Sequence, residues 1–385
     1  MWRSIASNAL TLMVVGLFLA GGVLLWAQNE YAASGPLDQP ICVEVPRGSS
    51  MSRVSERLER DGAISSAVMF RLGADYGGKS QALKAGSYLV PEGASMAEIT
   101  DIITRGGAST CGTEVVYRIG VTRATVQVRE IDPATGRFEE RASFDPAEGE
   151  APALYASVKQ AADTRYRIAL AEGVTSWQVV EELSQIDILS GDAEVPPEGA
   201  LAPDSYEIRP GETRESILAR MRDAQRAVLE RAWQERAADL PFDTPEEALI
   251  LASIIEKETG NAQERFDVAS VFVNRLRKGI RLQTDPTVIY GIKQGQGTLG
   301  RGLRRSELDR ETPWNTYRID GLPPTPIANP GRAAIEAALN PASTEYIYFV
   351  AKTLDPADGH NFAVTLDEHN RNVAAYRRLE AQRDN

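Results

Sequence analysis

The chain has 385 residues, with 42 Lys and Arg against 54 Asp and Glu and a formal net charge of −12. That length suits two or three domains of roughly 100–200 residues each, and 43% hydrophobic with 25% charged residues excludes wholesale disorder. The acidic balance argues against nucleic acid as a partner, and two His with two Cys leave neither a spaced zinc centre nor a Ser-His-Asp triad. Any chemistry here falls to carboxylates, without metal or cofactor.

In chain order, the first element is apolar. Ser4 to Asn29 carries no charge, and Ala9–Ala27 is apolar apart from Thr11. Nineteen helical residues reach about 28 Å, close to the hydrocarbon thickness of a bilayer. Arg3 precedes the run, whereas Glu30, Asp38 and Glu44 come before the next basic residue, Arg47. The positive-inside bias predicts a cytoplasmic N-terminus at 1–8, a transmembrane helix over 9–29, and the remainder on the far side of the membrane. A cleaved signal peptide is the rival reading, disfavoured by the long apolar core and the lack of a nearby Ala-x-Ala site. Residues 30–40 read as a linker. Beyond the membrane lies an oxidising space, where Cys42 and Cys111 either pair across one module or stay as buried thiols.

A local pattern then recurs four times: an aliphatic residue, Gly three later, Ser or Thr two after that, and aliphatics four and eight residues further on. The copies are Val45/Gly48/Ser50/Val54/Leu58, Val90/Gly93/Ser95/Ile99/Ile103, Leu170/Gly173/Thr175/Val179/Leu183 and Ile208/Gly211/Thr213/Ile217/Met221. Mechanically, a strand ends, Gly turns the chain, and the hydroxyl caps a helix with a buried face. In the first copy Ser52 competes with Ser50 as the cap. The functional reading of the stretch 41–112 is a LysM-like, glycan-recognising module; the plainer one is a common α+β building unit. Residues 113–165 alternate and carry turns at Asp132-Pro133 and Asp145-Pro146, which predicts a β-rich insertion with an acidic loop. A second α+β module with a long charged connecting helix follows over 166–239.

The last unit, 240–385, opens on Asp243-Thr244-Pro245-Glu246-Glu247, a complete helix start with capping box and Pro at the first position. Ala248–Ile255 is apolar around the whole helical circumference, so this helix is buried on all sides. It delivers Glu256-Lys257-Glu258-Thr259, with both carboxyls on apolar stripes. Burial raises a carboxyl pKa toward that of a general acid. Periodicity does not choose between Glu256 and Glu258.

The motif Ala252–Thr259, followed by Glu264-Arg265, Val268–Leu276, Arg281–Gly291, Glu311-Thr312-Pro313 through Tyr317, Gly321–Pro324, Ile327–Gly331 and Gly359-His360-x-Phe362, resembles the endolytic murein transglycosylases, the YceG-like family. The resemblance runs continuously over about 240–378 and more loosely over 41–107 and 199–225. It implies an α+β protein of the bacterial inner membrane, single-pass, with a LysM-like module and a C-terminal YceG-like domain outside the cytoplasm. It implies cleavage within nascent peptidoglycan glycan strands, with penicillin-binding proteins as partners and Glu256 as the catalytic acid/base. Asn274, Gln283, Thr284, Asp285, Tyr290, Asn315, Tyr317 and His360 are the candidates for binding substrate. Asp285 has a second reading as a helix cap, and His360 as a hairpin cap. Trp314 stands where the family usually has Tyr, and the 113–165 insertion lies outside its pattern. Two rivals remain at this level: a non-catalytic glycan-binding scaffold, and a hydrolysing muramidase that needs a second carboxylate, Asp285 or Glu258.

Overall fold

The computed structural model describes residues 2–105, 110–159, 161 and 164–383. It divides into two units. The first takes in Met1–Val115, Gln127–Phe144 and Glu150–Arg165; the second takes in Val116–Val126, Asp145–Gly149 and Tyr166–Asn385.

The first unit begins with α1 (Trp2–Ala32), followed by β1 (Ile41–Val45), α2 (Met51–Arg60), α3 (Ala67–Tyr76), β2 (Gly86–Val90) and α4 (Met96–Arg105). Within α1, Met13–Ala32 is long and apolar enough to cross a membrane, with mean hydropathy 1.3 and none of that window buried. β1 and β2 pair antiparallel, Ile41 opposite Val90 and Val45 opposite Gly86. Val43, Val45, Tyr88 and Val90 on the strands close over Val54, Leu58, Phe70, Ile99 and Ile103 on the helices to form one core. Cys42 and Cys111 are joined in a disulfide, Cα–Cα 5.7 Å.

Next come β3 (Thr113–Ile119), β4 (Ala124–Asp132), β5 (Arg137–Phe144) and the short α5 (Ala153–Val158), then β6 (Arg165–Leu170), α6 (Ser176–Gln185), β7 (Ser205–Ile208) and α7 (Arg214–Gln234). The strands form a five-stranded sheet in the order β5-β4-β3-β6-β7. β6 and β7 are antiparallel, with Tyr166 opposite Ile208.

The four-fold local pattern has a structural basis. Gly48, Gly93, Gly173 and Gly211 all sit at φ between 65° and 85°, a turn that a side chain would strain. Ser50, Ser95, Thr175 and Thr213 then accept the backbone N–H of Arg53, Glu98, Gln178 and Ser216. Ser50, two residues ahead of Ser52, is therefore the cap of α2, because only from that position does the hydroxyl reach a free N–H of the first turn.

The rest of the second unit is helical: α8 (Pro245–Glu258), α9 (Arg265–Arg277), α10 (Asp285–Lys293), α11 (Arg305–Leu308) and α12 (Arg332–Leu339), then the hairpin β8 (Tyr348–Ala351) and β9 (His360–Ala363), and α13 (Leu366–Arg383). Helix α8 is the axis of its core. Ala248, Leu251, Ala252, Ser253, Ile254 and Ile255 are fully buried, and α7, α9, α10 and α12 all pack against it. Its start is fixed by both halves of the capping box: Thr244 Oγ1 accepts from Glu247 N–H, and Glu247 Oε2 accepts from Thr244 N–H at 3.1 Å. Thr244→Ala is expected to lower unfolding stability by about 1 kcal/mol, read as a shifted urea midpoint; no shift would mean that packing alone fixes the helix start.

Candidate active site

At 100° per residue, the last turn of α8 sends Glu256 and Glu258 to different sides of the helix, with Lys257 between them. Glu256 Oε2 accepts the backbone N–H of Gly331 at 3.0 Å. Burial raises its pKa; the Gly331 hydrogen bond opposes this, Glu172 adds to it, and Arg265 and Lys257 oppose it. Lys257 Nζ donates to the Gly173 carbonyl at 3.2 Å. The net effect is a raised Glu256 pKa, with burial outweighing the backbone donor and the two cations.

Glu258 lies in different surroundings. Burial is the main cause that pushes its carboxyl up to about 7; the neighbouring Asp285 charge adds to this, while the Thr284 hydroxyl and the Arg275 charge oppose it. Thr284 Oγ1 donates to Glu258 Oε1. Thr284 is itself held in place: only 3% exposed, it donates its N–H to Thr316 Oγ1 at 3.0 Å, and Thr316 Oγ1 lies 2.9 Å from Thr287 Oγ1. The preceding Gln283 stands at φ 52°, a left-handed conformation rare outside glycine, secured by its N–H on the Thr316 carbonyl at 3.2 Å. Such strain persists only where its surroundings over-determine it. Asp285 opens α10 as its first helical residue, with Thr284 at the cap position. The Asp285 carboxylate accepts from Tyr317 Oη at 2.7 Å, and burial with the Asp285 partnership pushes the Tyr317 phenol well up.

Gln283, Thr284, Asp285 and Tyr317 are therefore brought to Glu258. The other candidates lie elsewhere. Tyr290 faces the far side of α10, with Trp314 at a ring-centroid distance of 5.8 Å and burial and Glu198 raising its pKa. Asn315 is fully buried, its Nδ2 donating to the Leu308 and Arg310 carbonyls, so it fixes the loop that carries Thr316 and Tyr317. Asn274 Nδ2 donates to the Thr344 and Tyr346 carbonyls at 2.8 and 3.0 Å, which ties α9 to the segment before β8. His360 stands at the start of β9. Its Nδ1 lies 2.7 Å from Glu264 Oε1, and its backbone N–H donates to Glu264 Oε2 at 2.7 Å. Thr259, directly after Glu258, donates its hydroxyl to the same Glu264 at 2.7 Å.

Several residues with structural or electrostatic weight were not legible as such. Burial acts to raise the Glu264 pKa, but its bonds from Thr259 and His360 prevail and lower it; 96 residues separate it from His360. Arg275, the first of the cations Arg275, Arg277, Lys278 and Arg281, is buried. It donates to the Ile347, Arg281 and Leu282 carbonyls and lies over the Tyr348 ring. Arg281 bonds Asp320 and the Tyr317 carbonyl, so these cations brace the loop around Gln283. Removing the Thr284 hydroxyl takes away a donor that favours the charged form. Thr284→Val should therefore raise the Glu258 pKa, read by NMR titration of its carboxyl; an unmoved titration would show that the hydroxyl does not set it.

The YceG-like family profile matches residues 43–375. The chain is similar to an endolytic murein transglycosylase of Bacillus subtilis strain 168, 29% identical over 369 residues that cover 95% of this chain and 91% of that protein. It is similar also to an endolytic murein transglycosylase of Streptococcus pneumoniae serotype 2, 26% identical over 346 residues, 87% of this chain and 58% of that longer protein. A crystallised YceG-like protein from Listeria monocytogenes aligns over 86% of this chain and 99% of its own, with 26% identity and a TM-score of 0.44. The match of one family profile to almost the whole chain outside α1 settles membership: this protein belongs to the YceG-like family.

Proposed function

We propose that this chain is a membrane-anchored lytic transglycosylase that cuts within peptidoglycan glycan strands, and that Glu258 is its acid/base. Family membership and the relatives' activity support the reaction class. The observation that carries the residue is Glu258 itself, a half-buried residue whose carboxyl is pushed up to about 7 and takes a hydroxyl donor on one oxygen, beside Asp285 and Tyr317. A general acid works best with its pKa near the working pH. Glu256, the position that the resemblance implies, also has its pKa raised by burial, but the Gly331 hydrogen bond and the Arg265 and Lys257 charges act against that rise.

The chemistry needs one such group. Neutral Glu258 gives its proton to the glycosidic oxygen as the bond between that oxygen and C1 of N-acetylmuramic acid breaks. The resulting carboxylate takes the proton from the muramyl C6 hydroxyl, whose oxygen bonds to C1 and closes a 1,6-anhydro ring. The glutamic acid is regenerated and no water is consumed. Gln283 and Tyr317 border the site as hydrogen-bonding groups for the sugar, and Asp285 holds Tyr317 in place.

Other parts of the chain fit this setting. The apolar α1 supports a single-pass anchor in the bacterial inner membrane, N-terminus inside and bulk outside. The order β1-α2-α3-β2, with its antiparallel strand pair, supports a LysM-like glycan-holding role for 41–112. A tethered cleft meets strands as penicillin-binding proteins polymerise them, which makes such enzymes the natural partners.

The test is a digest of uncrosslinked glycan strands by the full chain, by Glu256→Gln and by Glu258→Gln, with products weighed by mass spectrometry. Products lighter than hydrolysed ends by one water, made by Glu256→Gln but not by Glu258→Gln, are expected. The proximity of Asp285 to Glu258 favours one second reading, a two-carboxylate hydrolase. Reducing ends, lost on Asp285→Asn, would establish it instead. Strands bound but uncut by every form would leave a glycan-binding scaffold.

A further inference from the structure

Helix α3 is amphipathic in an unusual sense, with apolar residues on both faces. Ala67, Phe70 and Ala74 enter the core of the first unit. Val68, Leu72 and Tyr76, four residues apart, form a second stripe that is 55%, 63% and 84% exposed. Three large apolar side chains in a row on a water-facing helix are not explained by packing.

The stripe is continuous with the membrane-crossing helix. A cavity of about 390 Å³ lies between α1 and α3, lined by Leu24, Ala27 and Tyr31 on one side and Met69, Leu72 and Tyr76 on the other. The two helices are fixed together. Tyr31 Oη donates to Thr100 Oγ1 at 2.7 Å, and the Tyr31 ring lies so close to Gly73 that no side chain fits there. The axial level of the stripe then follows from α1. Leu24 and Ala27 belong to the last turn and a half of the apolar run Ala9–Ala27, about 28 Å long and thus equal to the hydrocarbon core. Residues that share a groove with them lie at the boundary between acyl chains and headgroups. Tyr76, an apolar ring with a polar tip, is suited to that depth.

From this juxtaposition we infer that the Val68–Leu72–Tyr76 face of α3 docks into the bilayer surface that α1 crosses, with acyl chains filling the groove against Leu24 and Ala27. This rests on the single-pass reading of α1. The partner is the apolar–polar boundary of the bilayer and no particular headgroup: the one cation in this stretch of α3, Arg71, is turned back onto Ser52, Ser55 and Glu56. Docking therefore withstands high salt. It also limits the swing of the first unit about its tether, since two elements and not one engage the membrane.

The experiment uses the full chain in phosphatidylcholine nanodiscs, with a photoreactive diazirine residue placed singly at Leu24, Leu72, Tyr76 or, as a control, the exposed Glu130. Phospholipid adducts after illumination are counted by mass spectrometry. The expected result is adduct at Leu24, Leu72 and Tyr76 at roughly tenfold or more over Glu130, unchanged in high salt. Adduct at Leu24 alone overturns the docking face and leaves the anchor standing. No adduct at Leu24 overturns the anchor reading and the proposal together. Cross-links from Leu72 or Tyr76 to a second copy of the chain, without lipid, overturn the proposal in favour of a protein partner.

Discussion

Replacing Glu258 by Gln is expected to lower the rate of strand cleavage by about 10²–10⁴-fold, the usual worth of a positioned proton donor. Binding of intact strands should remain, because the amide keeps the shape and still meets the Thr284 hydroxyl. The wild-type rate should decline as pH rises through about 7, where Glu258 loses the proton that the first step consumes. Glu256→Gln should keep that decline and stay within about tenfold of wild type, since the Gly331 bond and the Lys257 neighbour position the loop without entering the chemistry. An inactive Glu256→Gln beside an active Glu258→Gln would reverse the assignment. The same group has a signature in stability. Its folded pKa, about 7, lies above its ordinary 4.5, so the folded state holds the proton more strongly. The contribution is complete below about 4.5, declines as pH rises, and is gone above 7. Wild type should therefore lose thermal stability relative to Glu258→Gln between about pH 5 and pH 8.

Local chemistry was the part of this fold most open to reading. A capped helix start depends on three or four consecutive residues, so Thr244 with Glu247, and the glycine–hydroxyl pairs at 48/50, 93/95, 173/175 and 211/213, could be recognised from spacing alone. The wholly apolar circumference of Ala248–Ile255 likewise announced a core helix. What spacing could not give was direction in space. Glu256 and Glu258 both follow an apolar helix, and only the tertiary neighbours separate them: Gly331 and Lys257 on one side, Thr284 and Asp285 on the other. Lys257 apart, those neighbours come from segments 26 to 75 residues away. Asn274 and Asn315 show the converse difficulty. Short amides in loops suit a sugar, but they suit buried carbonyls equally well, and here carbonyls take them. His360 finds Glu264 across the fold, a pairing that no periodicity carries. The exposed stripe of α3 is a further case, since only the position of α1 gives Leu72 and Tyr76 an apolar neighbour.

The second large effect belongs to the disulfide. Cys42 lies on β1 opposite Leu89. Cys111 is 1% exposed and donates its N–H to the Ser87 carbonyl at 3.1 Å. The bridge therefore fastens the chain beyond α4 onto the β1–β2 ladder and closes a segment of 69 residues. Ordering a loop of that length in the unfolded chain is worth about 4 kcal/mol in the chain-entropy account. A two-stranded sheet with three short helices has little core to set against such a loss. Cys42→Ala/Cys111→Ala is expected to lower the urea midpoint of the first unit accordingly, with amide protection falling across β1, β2, α2 and α4 while α8 and α9 stay protected. A reductant should reproduce the effect in wild type and do nothing to the double variant. Equal midpoints within about 1 kcal/mol would show that the core around Leu58, Phe70 and Ile99 suffices without the bridge. The same bond also bears on topology. A structural disulfide forms and persists in an oxidising space, so its presence beyond α1 agrees with the proposed topology, in which the charge bias predicts an extracytoplasmic location for the chain after the apolar helix. Expression of the chain without α1, retained in a reducing cytoplasm, should then yield a first unit with free thiols and the lowered midpoint of the double variant.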